Sequence, residues 1–224
     1  TNTVFSIMSS GLVPSAMEFL DDKVIEILNR DRGISLHEMP TLLMEFNGFS
    51  ATGLKEEMGY VEEICLENRS VFLDKGIGAA ERARLWEMRH LTLESIKRSH
   101  AGLLPLIMDV AVPLSRYSEI VAFVKEEVKG LVAYIFGHAG DGNVHVVVMG
   151  KPDDIERWVL IEKANRNIVL KAIEFEGTCT GEHGVGIGKR RFLPIEHGEG
   201  LVLMKNIKTL LDPNNIMNPE KFFV

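Results

Sequence analysis

Two histidines seven residues apart bracket a turn in Tyr134-Ile-Phe-Gly-His138-Ala-Gly-Asp141-Gly142-Asn143-Val-His145-Val-Val-Val. Further on, Gly177-Thr-Cys-Thr-Gly181-Glu182-His183-Gly184-Val-Gly186-Ile-Gly188-Lys189-Arg190-Arg191 sets a carboxylate beside an imidazole, with five glycines in twelve residues. Two imidazoles and one carboxylate form a ligand set that suits Zn²⁺, Mn²⁺ or Fe²⁺. Three protein ligands leave coordination positions open, which favours catalysis over a purely structural site. The plainer alternatives are two polar histidines on an exposed strand edge, a solvated Glu182 and a His183 that caps a turn.

Asp-Gly is the preferred centre of a two-residue type I′ hairpin turn, because both positions need positive φ. With Asp141 and Gly142 as that turn, His138 is expected directly across from His145. Opposed residues have Cβ atoms roughly 4.5–5.5 Å apart on one face, close enough for both rings to reach one cation. The glycine-rich segment demands tight turns or close backbone approach. It is not a Walker A loop, whose first and last positions would fall on His183 and Arg190. Nor is it a dinucleotide fingerprint, since Lys189 stands where the third glycine belongs.

The elements that must carry these residues alternate. Period-3.6 patterns predict helices near Asp21–Arg30, Gly53–Asn68, Gly78–Ser99, Ser115–Lys129, Asp154–Glu176 and Glu199–Leu211. Extended runs lie at Ser15–Leu20, Thr41–Asn47, Val71–Leu73, Met108–Pro113, Leu131–His138 and Val144–Met149. The last two runs are too close for a crossover and must form an antiparallel hairpin. The pattern predicts an α+β fold: ferredoxin-like halves share a mainly antiparallel sheet, with helices packed mostly on one face.

The chain has 224 residues, 46% of them hydrophobic, with 25 Lys+Arg against 32 Asp+Glu and a net charge of −7. That length and apolar fraction suffice for a buried core and exclude wholesale disorder. The acidic balance argues against a nucleic-acid partner. No apolar run is long enough to cross a bilayer, and Thr1–Ser10 does not resemble a signal peptide. Only Cys65 and Cys179 occur, which points away from a disulfide framework and toward a reducing cytoplasm.

Three segments together resemble the C-terminal domain of FAD-linked oxidases: Gly137-His-Ala-Gly-Asp-Gly-Asn-Val-His145, Gly181-Glu-His-Gly-Val-Gly186 and Leu211-Asp-Pro-Asn-Asn-Ile-Met-Asn-Pro219. Met108-Asp-Val-Ala-Val-Pro-Leu-Ser-Arg116 is also similar to that family, nearest its D-lactate branch, and the likeness reaches Gly11-Leu-Val-Pro-Ser-Ala-Met-Glu18. The resemblance covers residues 1–224 and implies FAD, held mainly by an N-terminal domain that has no counterpart in this sequence. It also implies a divalent metal, commonly zinc, on His138, His145 and Glu182, with His183 as catalytic base. Arg89, in Leu85-Trp-Glu-Met-Arg89, would bind the substrate carboxylate, although by itself it reads as one more charge on a solvated helix. Asn218, Gly184 and Gly186 would lie toward the flavin.

The implied reaction is oxidation of a small D-2-hydroxy acid, of D-lactate or glycolate type, to the 2-keto acid. The metal would polarise the C2 hydroxyl while hydride passes to flavin. Ile107 occupies the position of a lysine in the hydroxyglutarate enzymes, which weakens the case for a dicarboxylic substrate. The expected partners are a flavin-binding domain or subunit, an unspecified electron acceptor and a second copy in a homodimer. The expected location is cytoplasmic or peripheral to a membrane. A stand-alone His₂Glu metal hydrolase and a non-catalytic ferredoxin-like binding module remain the alternatives.

Overall fold

The computed structural model describes residues 1–223. In chain order its elements are α1 (Asn2–Ser9), β1 (Ala16–Leu20), α2 (Asp22–Arg32), β2 (Thr41–Glu45), α3 (Ala51–Glu67), α4 (Ala79–His90) and α5 (Thr92–Ser99). There follow β3 (Leu104–Ala111), α6 (Tyr117–Glu127), β4 (Val132–His138), β5 (Asn143–Gly150), α7 (Ile155–Glu174), α8 (Leu193–His197) and α9 (Gly200–Leu211). The strands form one sheet in the order β2-β1-β4-β5-β3, and every neighbouring pair is antiparallel. The fold is thus α+β. β3 and β4 run parallel on either side of β5, joined through α6, which makes a split βαβ unit.

Strand β5 shows how the sequence builds two cores. Successive side chains on a strand alternate between faces. Val144, Val146 and Val148 therefore enter one cluster with Ile7 of α1, Ile120 and Val124 of α6, and Ile161 and Ile168 of α7. Val147 and Met149 enter the other with Val24, Ile25 and Leu28 of α2 and Ile96 of α5. Full burial of each such side chain is worth about 1.5–3 kcal/mol. The larger set of helices covers the first face. The second face is shared between α2, α5 and a row of polar residues.

That row follows from register. Glu18 of β1 lies opposite His138 of β4, Phe136 of β4 opposite His145 of β5, and His145 opposite Asp109 of β3. Glu18, His138, His145 and Asp109 consequently share one face. The expected direct pairing of His138 with His145 is corrected here by two positions. Ala139–Asp141 form a 3₁₀ turn, and Gly142 closes it at φ 70°. Tertiary contact decides this: Val112, just beyond β3, donates its N–H to the Gly142 carbonyl at 3.0 Å. A Cβ on Gly142 would come within 2.0 Å of the Val112 oxygen. The two histidines become diagonal neighbours, with ring centroids 5.5 Å apart.

Other expectations shift as well. The helix expected over Gly78–Ser99 is interrupted at Leu91, between α4 and α5. Thr92 donates its hydroxyl to the Met88 carbonyl at 3.1 Å, a back-bond of the kind that bends helices. Val71–Leu73 form no strand, and Val71 and Phe72 are exposed. Helix α1 lacked a sequence signal strong enough to predict, yet it buries Val4 and Ile7 completely.

Candidate metal and substrate site

The site is assembled from two strands and a turn. His138 closes β4 and His145 lies in β5, while Glu182 comes from the glycine-rich segment. Glu182 Oε1 stands 3.2 Å from His138 Nε2 and 3.0 Å from His145 Nε2. The three donor atoms lie within 4.8 Å of one another. His145 is buried, with a side chain 4% exposed, whereas that of Glu182 is 49% exposed, so the cluster opens to solvent on one side. Burial pulls the His145 imidazole down to about 4, against the opposing charges of Asp109 and Glu182, so at neutral pH it offers a lone pair. Its Nδ1, 3.5 Å from Asp109 Oδ1, is buried without a hydrogen-bond partner. Two imidazole nitrogens and a carboxylate oxygen converging at this separation fit a divalent cation.

Two buried acids hold this cluster, and sequence reasoning missed both. Asp109 Oδ2 accepts the backbone N–H groups of Gly181, Glu182 and His183 at 2.9, 3.1 and 3.1 Å. Its Oδ1 accepts Asn143 Nδ2 at 2.7 Å, and Lys189 Nζ donates to the Asp109 carbonyl at 2.7 Å. Burial alone would raise the Asp109 pKa; the His183 N–H, the Lys189 charge and Asn143 outweigh it and keep the carboxyl well below the usual range. Gly181 is required here, since a Cβ would fall 1.9 Å from Asn143 Nδ2 and 2.6 Å from Asp109 Oδ1. Donor and acceptor demand thus seat the Gly181–His183 turn against β3 and deliver Glu182 to the histidines.

Glu18 guards the opposite side. Its Oε1 lies 2.5 Å from His138 Nδ1, and its Oε2 accepts Arg89 Nε at 2.7 Å. Burial pushes the Glu18 pKa up, but the His138 hydrogen bond and the Arg89 charge outweigh it, leaving the group low. The Glu18 hydrogen bond raises His138 in turn, against burial. Arg89 is therefore no member of a solvated face. Its guanidinium carbon lies 5.1 Å over the Phe136 ring, which is itself 5.5 Å from the His145 ring. Both acids could have been suspected from sequence, because each is a lone charge within an apolar strand, Ala16–Leu20 or Leu104–Ala111.

The remaining candidates separate. His183 joins the cluster: its ring centroid is 5.3 Å from that of His145, and its Nε2 is 3.6 Å from Glu182 Oε1. Gly184, at φ 74°, and Gly186 face open space, with no atom within 4 Å of a Cβ at either position. Asn218 sits at φ 46° in an exposed C-terminal turn. Asp212 organises that turn by accepting the N–H groups of Ile216 and Met217 at 2.9 Å each. Asn218 takes no part in the hydrogen bonds that hold the His138–His145–Glu182 cluster. Lys189, ambiguous in the sequence, is committed to Asp109.

The fold is thus an antiparallel α+β sheet that presents a His-His-Glu cluster beside the half-buried Arg89. The family described as "FAD linked oxidases, C-terminal domain" matches residues 1–222, and the chain belongs to it. It is 34% identical over 223 residues to a probable mitochondrial D-lactate dehydrogenase of Danio rerio, covering 98% of this chain and 45% of that protein. It is 39% identical over 218 residues to the mitochondrial D-lactate dehydrogenase (cytochrome) of Arabidopsis thaliana, covering 96% and 38%. Against the glycolate oxidase subunit GlcD of Bacillus subtilis the figures are 33% over 229 residues, 99% and 47%. The chain thus spans less than half the length of these relatives. The fold also matches a solved alkyldihydroxyacetonephosphate synthase, with TM-score 0.53 and 14% identity, over 98% of this chain and 42% of that one.

Proposed function

We propose that this chain is the substrate- and cation-binding part of an FAD-linked dehydrogenase that oxidises a small D-2-hydroxy acid, of D-lactate or glycolate type, to the 2-keto acid. The convergence of His138 Nε2, His145 Nε2 and Glu182 Oε1 within 4.8 Å carries the reading. The printed names of the relatives supply the substrate class.

When bound, the cation supplies Lewis-acid polarisation of a hydroxyl, and the flavin, on a partner domain or subunit, supplies the two-electron sink. The residues of this chain do the rest. His138, His145 and Glu182 hold the cation. Arg89 uses Nε on Glu18, while its terminal nitrogens make no hydrogen bond among the described residues and are available to a carboxylate. His183, exposed at the mouth of the cluster, accepts the proton of the C2 hydroxyl.

The test is D-lactate- and glycolate-dependent dye reduction by the full-length flavoprotein and its His183→Ala variant. Turnover should fall by about 10²–10⁴-fold with metal content preserved. Normal turnover in that variant would exclude His183 as the base. No oxidation of any short 2-hydroxy acid by the wild type would exclude the substrate class.

A further inference from the structure

We infer that Glu18 is a positioning residue: its buried carboxylate fixes which nitrogen of His138 carries the proton, while its other oxygen is held by Arg89. The inference rests on the cation reading of the preceding subsection.

Glu18 is 4% exposed and uses its two oxygens on two different partners, Oε1 on His138 Nδ1 and Oε2 on Arg89 Nε. A carboxylate paired with a guanidinium is an acceptor only. His138 Nδ1 must therefore be the donor, so in the neutral ring Nε2, the nitrogen aimed at Glu182, is the one left with a lone pair. A second carboxylate that orients a ligating histidine typically contributes 10–100-fold in metal affinity. What is particular here is that the same side chain grips the arginine placed to receive the substrate. One residue thus sets the tautomer at the cation side and the reach of the guanidinium at the anion side.

Substitution by glutamine makes the claim sharp. The amide offers one oxygen and one NH₂ group, and Arg89 Nε, a permanent donor, takes the oxygen. The NH₂ group then faces His138 Nδ1 and needs a lone pair there. The ring proton is driven to Nε2, the atom required by the cation. Removing Arg89 releases the amide to turn its oxygen back to His138.

The experiment is calorimetric titration of the metal-free chain with Zn²⁺ alone, for wild type, Glu18→Gln, Arg89→Met, the double variant Glu18→Gln/Arg89→Met, and His145→Ala. Glu18→Gln should weaken binding by about 10–100-fold. Arg89→Met should have little effect, and the double variant should recover most of the loss, a rescue that a merely space-filling Glu18 cannot produce. Long-range ¹⁵N–¹H NMR of His138 in the metal-free chain at alkaline pH should show the proton on Nδ1 in wild type. A proton on Nε2 there overturns the assignment even if Glu18→Gln does not fold. So does wild-type affinity in Glu18→Gln, or a double variant as weak as the single one. His145→Ala separates the levels. Loss of zinc in it with Glu18→Gln unaffected defeats only the Glu18 assignment, whereas unchanged zinc binding in His145→Ala defeats the cation reading itself.

Discussion

The backbone N–H of His183 donates to the buried carboxylate of Asp109 at 3.1 Å, the last of three consecutive amides that converge on one oxygen. Through this contact a strand residue controls where a loop places its carboxylate and imidazole. The Gly181–His183 segment contributes no strand of its own, so its position depends on hydrogen bonding to Asp109 and on the absence of a side chain at Gly181.

Asp109→Ala strands three backbone donors and the Asn143 amide and removes the charge beside Lys189, whose ammonium keeps its bond to the residue-109 carbonyl. Uncompensated groups of this kind cost several kcal/mol, and a loss of about 3 kcal/mol is expected. Urea unfolding in metal-free buffer measures it. A loss below about 1 kcal/mol would show that the turn is held by something else.

Two glycines of the same segment should behave oppositely. Gly181→Ala forces a Cβ into Asn143 and Asp109, while at Gly188 no atom lies within 4 Å of the added carbon. Thermal melting should show marked destabilisation for Gly181→Ala, in the range of about 1–3 kcal/mol typical of overpacking. Gly188→Ala should stay within about 0.5 kcal/mol of wild type. Equal effects would contradict the close seating of the turn.

Asp21 gives the protein an unusual acid response. It caps α2 by accepting the Val24 N–H at 2.8 Å and also accepts the Ile135 N–H at 3.1 Å, yet burial raises its pKa to about 6. The folded state holds this proton more tightly than the unfolded chain, where the ordinary value is 3.8. The contribution of Asp21 is therefore greatest below pH 4 and is lost as pH rises through 6. Over that window wild type should lose stability relative to Asp21→Asn by on the order of 3 kcal/mol. Urea midpoints of both proteins at pH 4 and pH 7 give the difference. A constant gap would refute the linkage.

Both thiols should be inert in the native chain. Cys179 is fully buried, and desolvation with the neighbouring Glu196 pushes its thiol up to about 12. Burial raises Cys65 likewise. An aromatic disulfide reagent at pH 8 should titrate neither thiol until denaturant is added, and then both. Rapid native reaction of Cys179 would contradict its packing.

Much of this architecture was legible in the chain, for identifiable reasons. β4 and β5 stand out as apolar runs flanking a turn, and Glu182-His183 stands out because glycines surround it. The register between His138 and His145 was not legible, because the loop closes on Val112, a residue just beyond β3 and distant in sequence. Local Asp-Gly preference yielded to that long-range bond. Glu18 and Asp109 escaped notice because their value lies in partners 71 to 120 and 34 to 80 residues away respectively. Sequence order hides such pairings; sheet register creates them. Arg89 needed the same information: only the Glu18 contact moves it from a solvated helix into the site.

The central claim concerns which atoms meet at the cation. A second set, Asp109, His145 and His183, also brings its donor atoms within 4.8 Å. The lone pairs of Asp109, however, are committed to backbone amides, Asn143 and Lys189. Zinc-edge anomalous diffraction from crystals grown with Zn²⁺ distinguishes the two. One peak should lie about 2.0–2.2 Å from His138 Nε2, His145 Nε2 and Glu182 Oε1. A peak bound instead by Asp109 and His183, or no peak at the hairpin, would contradict the account.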